Sequence, residues 1–270
     1  MEKSLEVDMQ RRLRVVIVGS GNVAESFAHA VSGCAEIELV GLYARNRERG
    51  MAIAESCATQ WYGESRSLPE ADIYLIAVSD RAVADVAESL LLPSEAIVVH
   101  TAGSIPLAAL PERGGRRGII YPLQSFSAGR KVDFGCVPLF VEADSELVRE
   151  ELFRFARLLS RSVEYADSER RRVLHLAGVV VNNFVNALYA EGAAIVESEG
   201  LSFDVLKPLI VETAAKASSV ENPRRVQTGP AVRGDKDVCR RHMEMLRGDE
   251  KLEKIYSDLT ERIWETSRKI

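Results

Sequence analysis

Nowhere in these 270 residues does an uninterrupted apolar run approach the ~20 positions that a membrane-spanning helix needs. The opening stretch MEKSLEVDMQRRLRVVIVGS places charge before an apolar run, as a signal peptide does. That run stops at Gly19, too soon for a secretory core, so a cytoplasmic chain is expected. Cysteine is scarce and scattered: Cys34, Cys57, Cys136 and Cys239 form no CxxC pair and have no neighbouring histidine. This spacing argues against a zinc site or a disulfide frame and for reduced thiols, and no metal is expected. Basic excess is also missing. A net charge of −5 speaks against nucleic acid or an anionic membrane as the main partner. Internal repeats and low-complexity tracts are absent. What is present is a chain 46% hydrophobic, long enough for one large or two ordinary domains.

Two halves follow different patterns. From residue 13 to 167, the runs LRVVIVGS, EIELVGLYA, ADIYLIAVS, EAIVVHTAG, RGIIYPL and CVPLFVEA read as strands alternating with helical stretches. Several are apolar almost throughout, as strands covered on both faces must be. Such alternation predicts βαβ crossovers and a Rossmann-type, doubly wound, mostly parallel sheet. From 168 to 270 the strand signal vanishes, and an all-helical domain is expected. ERRRVLHLAGVVVNNFVNALYAEGAAIVESEG reads as one long helix ended by Gly200. SFDVLKPLIVETAAKASS, VCRRHMEML and a final helix striped by Leu252, Ile255, Tyr256, Leu259 and Ile263 follow it. Residues 1–12 form an N-terminal extension.

Directly after the first strand stand Gly19, Ser20, Gly21, Asn22, Val23 and Ala24, a G-x-G-x-x-A pattern opening a helix. The first glycine makes the turn, the second lets a pyrophosphate approach the backbone, and alanine lets helix and sheet lie close. The helix dipole and free amides there favour an anion. About 20 residues on, enzymes that bind NAD carry an acidic side chain for the ribose. This chain lacks one and offers Tyr43, Ala44, Arg45, Asn46 and Arg47 instead. A guanidinium there can clamp a 2′-phosphate, so NADP(H) is the expected cofactor, with Arg45 its main contact. Cations are mildly unfavourable in a first helical turn, which an anion would relieve. The same conflict at Arg170 to Arg172 has no anion to answer it.

Ligands of open α/β sheets lie beyond the C-terminal strand ends, which makes Val78, Ser79, Thr101 and Gly103 cofactor-lining candidates. Ser104 is a candidate helix cap before Pro106. His100 is a candidate proton donor, though a strand-end histidine is more often a hydrogen-bonded wall residue. On the long helix, 100° per residue places His175, Asn182, Asn186 and Tyr189 near one line, and the remaining circumference is apolar. The helix should therefore be buried nearly all round, with its polar groups meeting a substrate or other protein groups. The segment ENPRRVQTGPAVRGDKD lacks apolar period, and its Arg224, Arg225 and Arg233 are candidates for a substrate carboxylate or for plain solvent.

In the order GSGNVA, AVSD, HTAGS, YPLQSFS, HLAGVVVNNF and TGPAVRGD, the chain resembles bacterial Rossmann-like proteins with an uncharacterised helical C-terminal domain, commonly labelled NADP oxidoreductases. More distantly it is similar to pyrroline-5-carboxylate reductase and the β-hydroxyacid dehydrogenases. The resemblance implies that Gly19, Gly21 and Arg45 serve the cofactor and that His175, Asn182 and Asn183 face a cleft between two domains. It also implies a dimer through the helical domain. The β-hydroxyacid dehydrogenases carry a lysine on the first long helix; this helix has none, so that acid cannot be transferred. The combined expectation is an NADP(H)-dependent oxidoreductase moving a hydride to or from a small polar carbonyl or imine. His175 is expected as proton donor, Asn182 or Asn183 as substrate holder, and His100 as a second candidate acid. A non-catalytic dinucleotide-binding or redox-sensing protein is the alternative, and a phosphosugar or nucleotide enzyme a third.

Overall fold

The structure is a computed structural model that describes residues 11–112 and 116–268. The expected extension, 1–12, lies outside the described residues apart from Arg11 and Arg12. The chain divides into two compact units that meet between Asn183 and Phe184.

The first unit is built on strands β1 (Leu13–Val18), β2 (Ile37–Tyr43), β3 (Trp61–Tyr62), β4 (Ile73–Ile76), β5 (Ile97–His100), β6 (Arg116–Pro122), β7 (Leu139–Ala143) and β8 (Val163–Tyr165). They form one sheet in the order β3-β2-β1-β4-β5-β6-β7-β8, parallel throughout except where β6 meets β7. The six expected strands are all present. The two edge strands, β3 and β8, are additions of only two and three residues, too short to carry an apolar pattern.

Alternation along β1 shows why both faces must be covered. Val15 and Ile17 pack toward helices α1 (Asn22–Ser32), α2 (Arg47–Ser56) and α4 (Glu146–Leu159). Val16 and Val18 pack on the opposite side with α3 (Val83–Ser89). Large side chains such as Phe27 and Phe155 are fully buried, each stabilising the fold by roughly 2–3 kcal/mol. The chain runs outward from β1 to β2 and β3, then returns to place β4 on the other side of β1. That reversal opens a crevice beyond the C-terminal ends of β1 and β4.

The long helix begins with α5 (Ser168–Gly178), capped by the Asp167 carboxylate on the Arg170 N–H at 2.8 Å. It does not continue as a plain α-helix. Val179–Phe184 is π-helical before α6 (Val185–Ser198) resumes. Three successive valines crowd an α-turn, and the wider π turn changes the helical phase. The expected single line through His175, Asn182, Asn186 and Tyr189 is therefore broken. Within one chain the helix is not buried all round: Leu176 is 63% and Val181 70% exposed, and Arg171 is the only buried residue of α5. Among the described residues nothing covers those apolar groups. By length and composition alone Ser168–Ser198 could cross a membrane, its most apolar window reaching a mean hydropathy of 1.4.

The second unit contains α6, α7 (Lys207–Ser218), α8 (Pro230–Arg233), α9 (Lys236–Met245) and α10 (Glu250–Ser267). Gly200 ends α6 in the left-handed region, as expected. The segment read as irregular holds a 3-10 turn at Pro223–Val226 and then α8. Gly234 closes α8 against Trp264 of α10, where an added Cβ would lie 2.6 Å from the indole.

Candidate functional site

A cavity of about 840 Å³ occupies the crevice of the first unit. Its walls come from the loops after four parallel strands: Gly19–Val23 behind β1, Ala44–Asn46 behind β2, Ala77–Asp80 behind β4 and Thr101–Gly103 behind β5. Tyr121, Pro122, Gln124, Phe126 and His175 complete it. Its size suits a bound small molecule.

The glycine loop is built as the sequence predicts. Gly19 has φ +133°, and an added Cβ would lie 2.2 Å from the Ala77 carbonyl oxygen, so no other residue fits. Gly21 differs: nothing lies within 4 Å of an added Cβ, and the space before it is open cavity. Ala24 is fully buried between helix and sheet, a packing role that keeps it out of the lining. No side chain caps α1, and its first residues Asn22 and Val23 line the cavity. Open amides at the start of an eleven-residue helix, beside a glycine without steric bulk, fit the pyrophosphate of a dinucleotide.

The three arginines after β2 have separate fates. Arg45 is exposed, lines the cavity, and among the described residues has no ion pair or hydrogen-bond partner. Arg47 points elsewhere, with its guanidinium 5.7 Å from the centre of the Trp61 ring. Arg49 bonds the Asn22 carboxamide oxygen at 2.6 Å and Glu25 at 3.1 Å. Asn46 caps α2 by accepting from the Arg49 N–H at 3.0 Å and also lines the cavity. Tyr43 packs against the core on the α3 side, outside the lining.

At the far end, the Tyr121 hydroxyl lies 3.3 Å from His175 Nδ1. Both rings close over Gly103, where a Cβ would stand 2.8 Å from Tyr121 and 2.9 Å from His175 Nδ1. Burial raises the Tyr121 pKa, partly opposed by the Arg171 cation, so the phenol keeps its proton at neutral pH. Arg171, one turn before His175, is fully buried. It pairs with Glu142 and donates to the Ile105 carbonyl at 2.6 Å. Glu142 is thus the anion that the arginine-rich helix start lacked in the sequence. The network ties α5 to β7 and to the loop after β5.

His100 is not in the cavity. It is fully buried, its Nδ1 accepts from the Ala102 N–H at 3.2 Å, and burial, reinforced by the Arg171 charge, lowers its pKa to about 4. It is a wall residue, as a strand-end histidine more often is. Ser104 caps no helix and instead donates to Asp80, which lines the cavity. Asn182 and Asn183 are exposed in the π turn and contribute nothing to the lining. The lining residues that sequence reasoning missed are Ala44, Ala77, Asp80, Ala102, Pro122 and Phe126. Each of the first four adjoins a predicted position. Tyr121 and Gln124, also missed as single residues, fall in the YPLQSFS stretch on which the resemblance rests.

A crevice at the strand-order reversal, a glycine turn and an open helix start define an NAD(P)-binding Rossmann domain. Residues 13–100 match the family described as an oxidoreductase family with an NAD-binding Rossmann fold. Residues 137–263 match a domain of unknown function, DUF2520. A Bacteroides fragilis protein provisionally named an NADP oxidoreductase is 36% identical, with 94% of this chain and 98% of that one covered and a TM-score of 0.85. The chain belongs to that protein's family, in which a Rossmann NAD(P)-binding domain precedes a helical C-terminal domain. A protein from Thermotoga maritima shares the fold at 22% identity, with 94% and 98% of the two chains covered and a TM-score of 0.73. So does a Plasmodium falciparum pyrroline carboxylate reductase with NADP bound, at 12% identity, 94% and 97% coverage and a TM-score of 0.62. A search of curated proteins finds no match.

Proposed function

We propose that the protein is an NADP(H)-dependent oxidoreductase that moves a hydride between the cofactor and a small polar carbonyl or imine. The observation that carries this reading is the Tyr121–His175 pair, a proton-holding contact at 3.3 Å that lines the same cavity as the glycine loop. The name of the Plasmodium falciparum relative, a reductase of a pyrroline, supports an imine among the candidate substrates.

The first amides of α1 would hold the pyrophosphate, and Arg45 with Asn46 the ribose 2′-phosphate. When bound, the reduced nicotinamide supplies a hydride. The chain's own residues supply the rest. His175 delivers a proton to the oxygen or nitrogen of the C=O or C=N bond as the carbon gains the hydride, and Tyr121 orients the imidazole through Nδ1. Gly103 leaves room for both rings. Two proposed features lie outside this cavity: a homodimer formed through the apolar helices, and a cytoplasmic location consistent with four free cysteines.

Fluorescence titration with NADPH and NADH, followed by NADPH oxidation against a panel of imines and 2-oxo acids, tests the reading. Turnover of one panel member with NADPH preferred is the expected result. Tight NADPH binding with no turnover across the panel would favour a non-catalytic dinucleotide-binding protein.

A further inference from the structure

The loop between β6 and β7 brings Gln124 and Phe126 to the cavity, and beyond the packing of Phe126 and Val132 on the core it has few hydrogen bonds to hold it. Within 124–132 the bonds are local: Gln124 N–H to the Pro122 carbonyl, Ser125 N–H to the Gln124 side chain, and Arg130 N–H to the Ser127 carbonyl. Among the described residues one hydrogen bond joins this segment to a distant part of the fold. Asn22 Nδ2 donates to the Phe126 carbonyl at 3.0 Å, across 104 positions of sequence. The Phe126 ring stacks on Phe134 at 6.1 Å, and Phe134 meets Phe27 of α1 edge-on at 4.8 Å.

The other end of the same carboxamide is also engaged. Asn22 Oδ1 accepts from Arg49 at 2.6 Å, and the Arg49 backbone N–H is capped by Asn46 at 3.0 Å. A hydrogen-bonded line therefore runs from the turn after β2, where Arg45 and Asn46 line the cavity, through Asn22 to Phe126. The position requires a side chain that accepts from a guanidinium while donating to a carbonyl. A carboxamide does both; a carboxylate or a methyl group does not.

We propose that Asn22 is a positioning residue that latches segment 124–132 to the dinucleotide loop, so that a phosphorylated ribose held at the turn after β2 steadies the wall of the cavity on the far side. The latch itself rests on the geometry above. Its response to cofactor rests also on the NADP(H) reading.

Arg130 and Lys131, exposed near the end of the segment, make it readable by trypsin. Full-length protein and the variants Asn22→Ala and Asn22→Asp are digested briefly, and fragment masses report each cleavage site. Asn22→Asp keeps an acceptor for Arg49 and removes the donor to Phe126 while adding a negative charge, and Asn22→Ala removes the donor without adding one, so agreement between the two assigns the effect to the lost donor. Without nucleotide, both variants should be cut after Arg130 or Lys131 about 2- to 10-fold faster than the parent, with other sites and the melting temperature unchanged. Equal rates in all three proteins would overturn the latch. Saturating NADPH should slow this cut in the parent more than saturating NADH does, and should leave Asn22→Asp as labile as before. Equal NADPH protection of parent and Asn22→Asp would overturn the coupling. A parent that binds no NADPH would sink the cofactor reading alone, because the nucleotide-free comparison still judges the latch.

Discussion

Replacing Arg45 by alanine isolates the cofactor assignment, because Arg45 does nothing else for the fold. It is exposed, caps no helix, and among the described residues pairs with no carboxylate. Its removal should leave the melting temperature within a degree or two of the parent's. A charge-assisted hydrogen bond contributes about 1.5–3 kcal/mol, or roughly 10- to 100-fold in affinity. Exposure to solvent favours the lower part of that range at moderate salt. NADPH dissociation, followed by fluorescence, should weaken by that factor, while NADH, which has no 2′-phosphate, should barely change. The effect should shrink as ionic strength rises from about 0.1 M to 1 M, where the screening length drops from ~10 Å to ~3 Å. Arg47→Ala serves as the internal control. Its guanidinium rests on Trp61 and lies outside the lining, so it should cost NADPH little. If Arg45→Ala weakened both cofactors equally, or Arg47→Ala discriminated better, the 2′-phosphate contact would be assigned to the wrong arginine.

Three further outcomes are expected. His175→Ala should lower kcat by about 10²–10⁴ with little change in NADPH affinity, and Gly103→Ala should lower kcat too, because its new Cβ lands 2.8 Å from Tyr121; an unaltered rate in either would move the acid elsewhere. His100, with a folded pKa of about 4, stays neutral in the native state while an unfolded histidine takes up a proton below ~6.5. Stability should therefore fall by about 2 kcal/mol between pH 7 and pH 5 on this account. In denaturant titrations His100→Asn, which keeps an acceptor for the Ala102 N–H, should flatten that slope; an unchanged slope refutes the assignment. Light scattering should give a dimer for the parent and a smaller particle for Val181→Glu with Phe184→Glu, two exposed apolar positions, and a parent that is monomeric would end the dimer proposal.

The cofactor half of the cavity was legible because its information is local. Gly19 to Val23 form one strand-turn-helix stretch, and Arg45 follows the next strand, so each assignment needed only neighbouring residues. Even there, period-two alternation held unused information. Along β5, Ile97 and Val99 pack on one side and Val98 on the other, which sends His100 to the side opposite Val99. That placement turns it toward the α3-side core, while Thr101, Ala102 and Gly103, beyond the strand end, reach the crevice. Arg171 was less accessible, because three successive arginines have no anion in the neighbouring sequence, and Glu142, 29 positions away, is brought beneath one of them only by the fold.

The far end depended on two segments whose meeting no local pattern announces. Tyr121 comes from β6 and His175 from α5, 54 positions later, and their contact needs both the sheet order and the seat of the helix. Helical-wheel arithmetic found His175 but extended the same line to Asn182 on the assumption of an unbroken α-helix. A π turn closes its hydrogen bonds one residue further along, so every position beyond Val179 is displaced in phase from His175. The asparagines cannot be grouped with the histidine by counting. If they serve a ligand at all, they must reach it from another face of the helix, and replacing Asn182 should then leave untouched the pH dependence that His175 imposes on the rate.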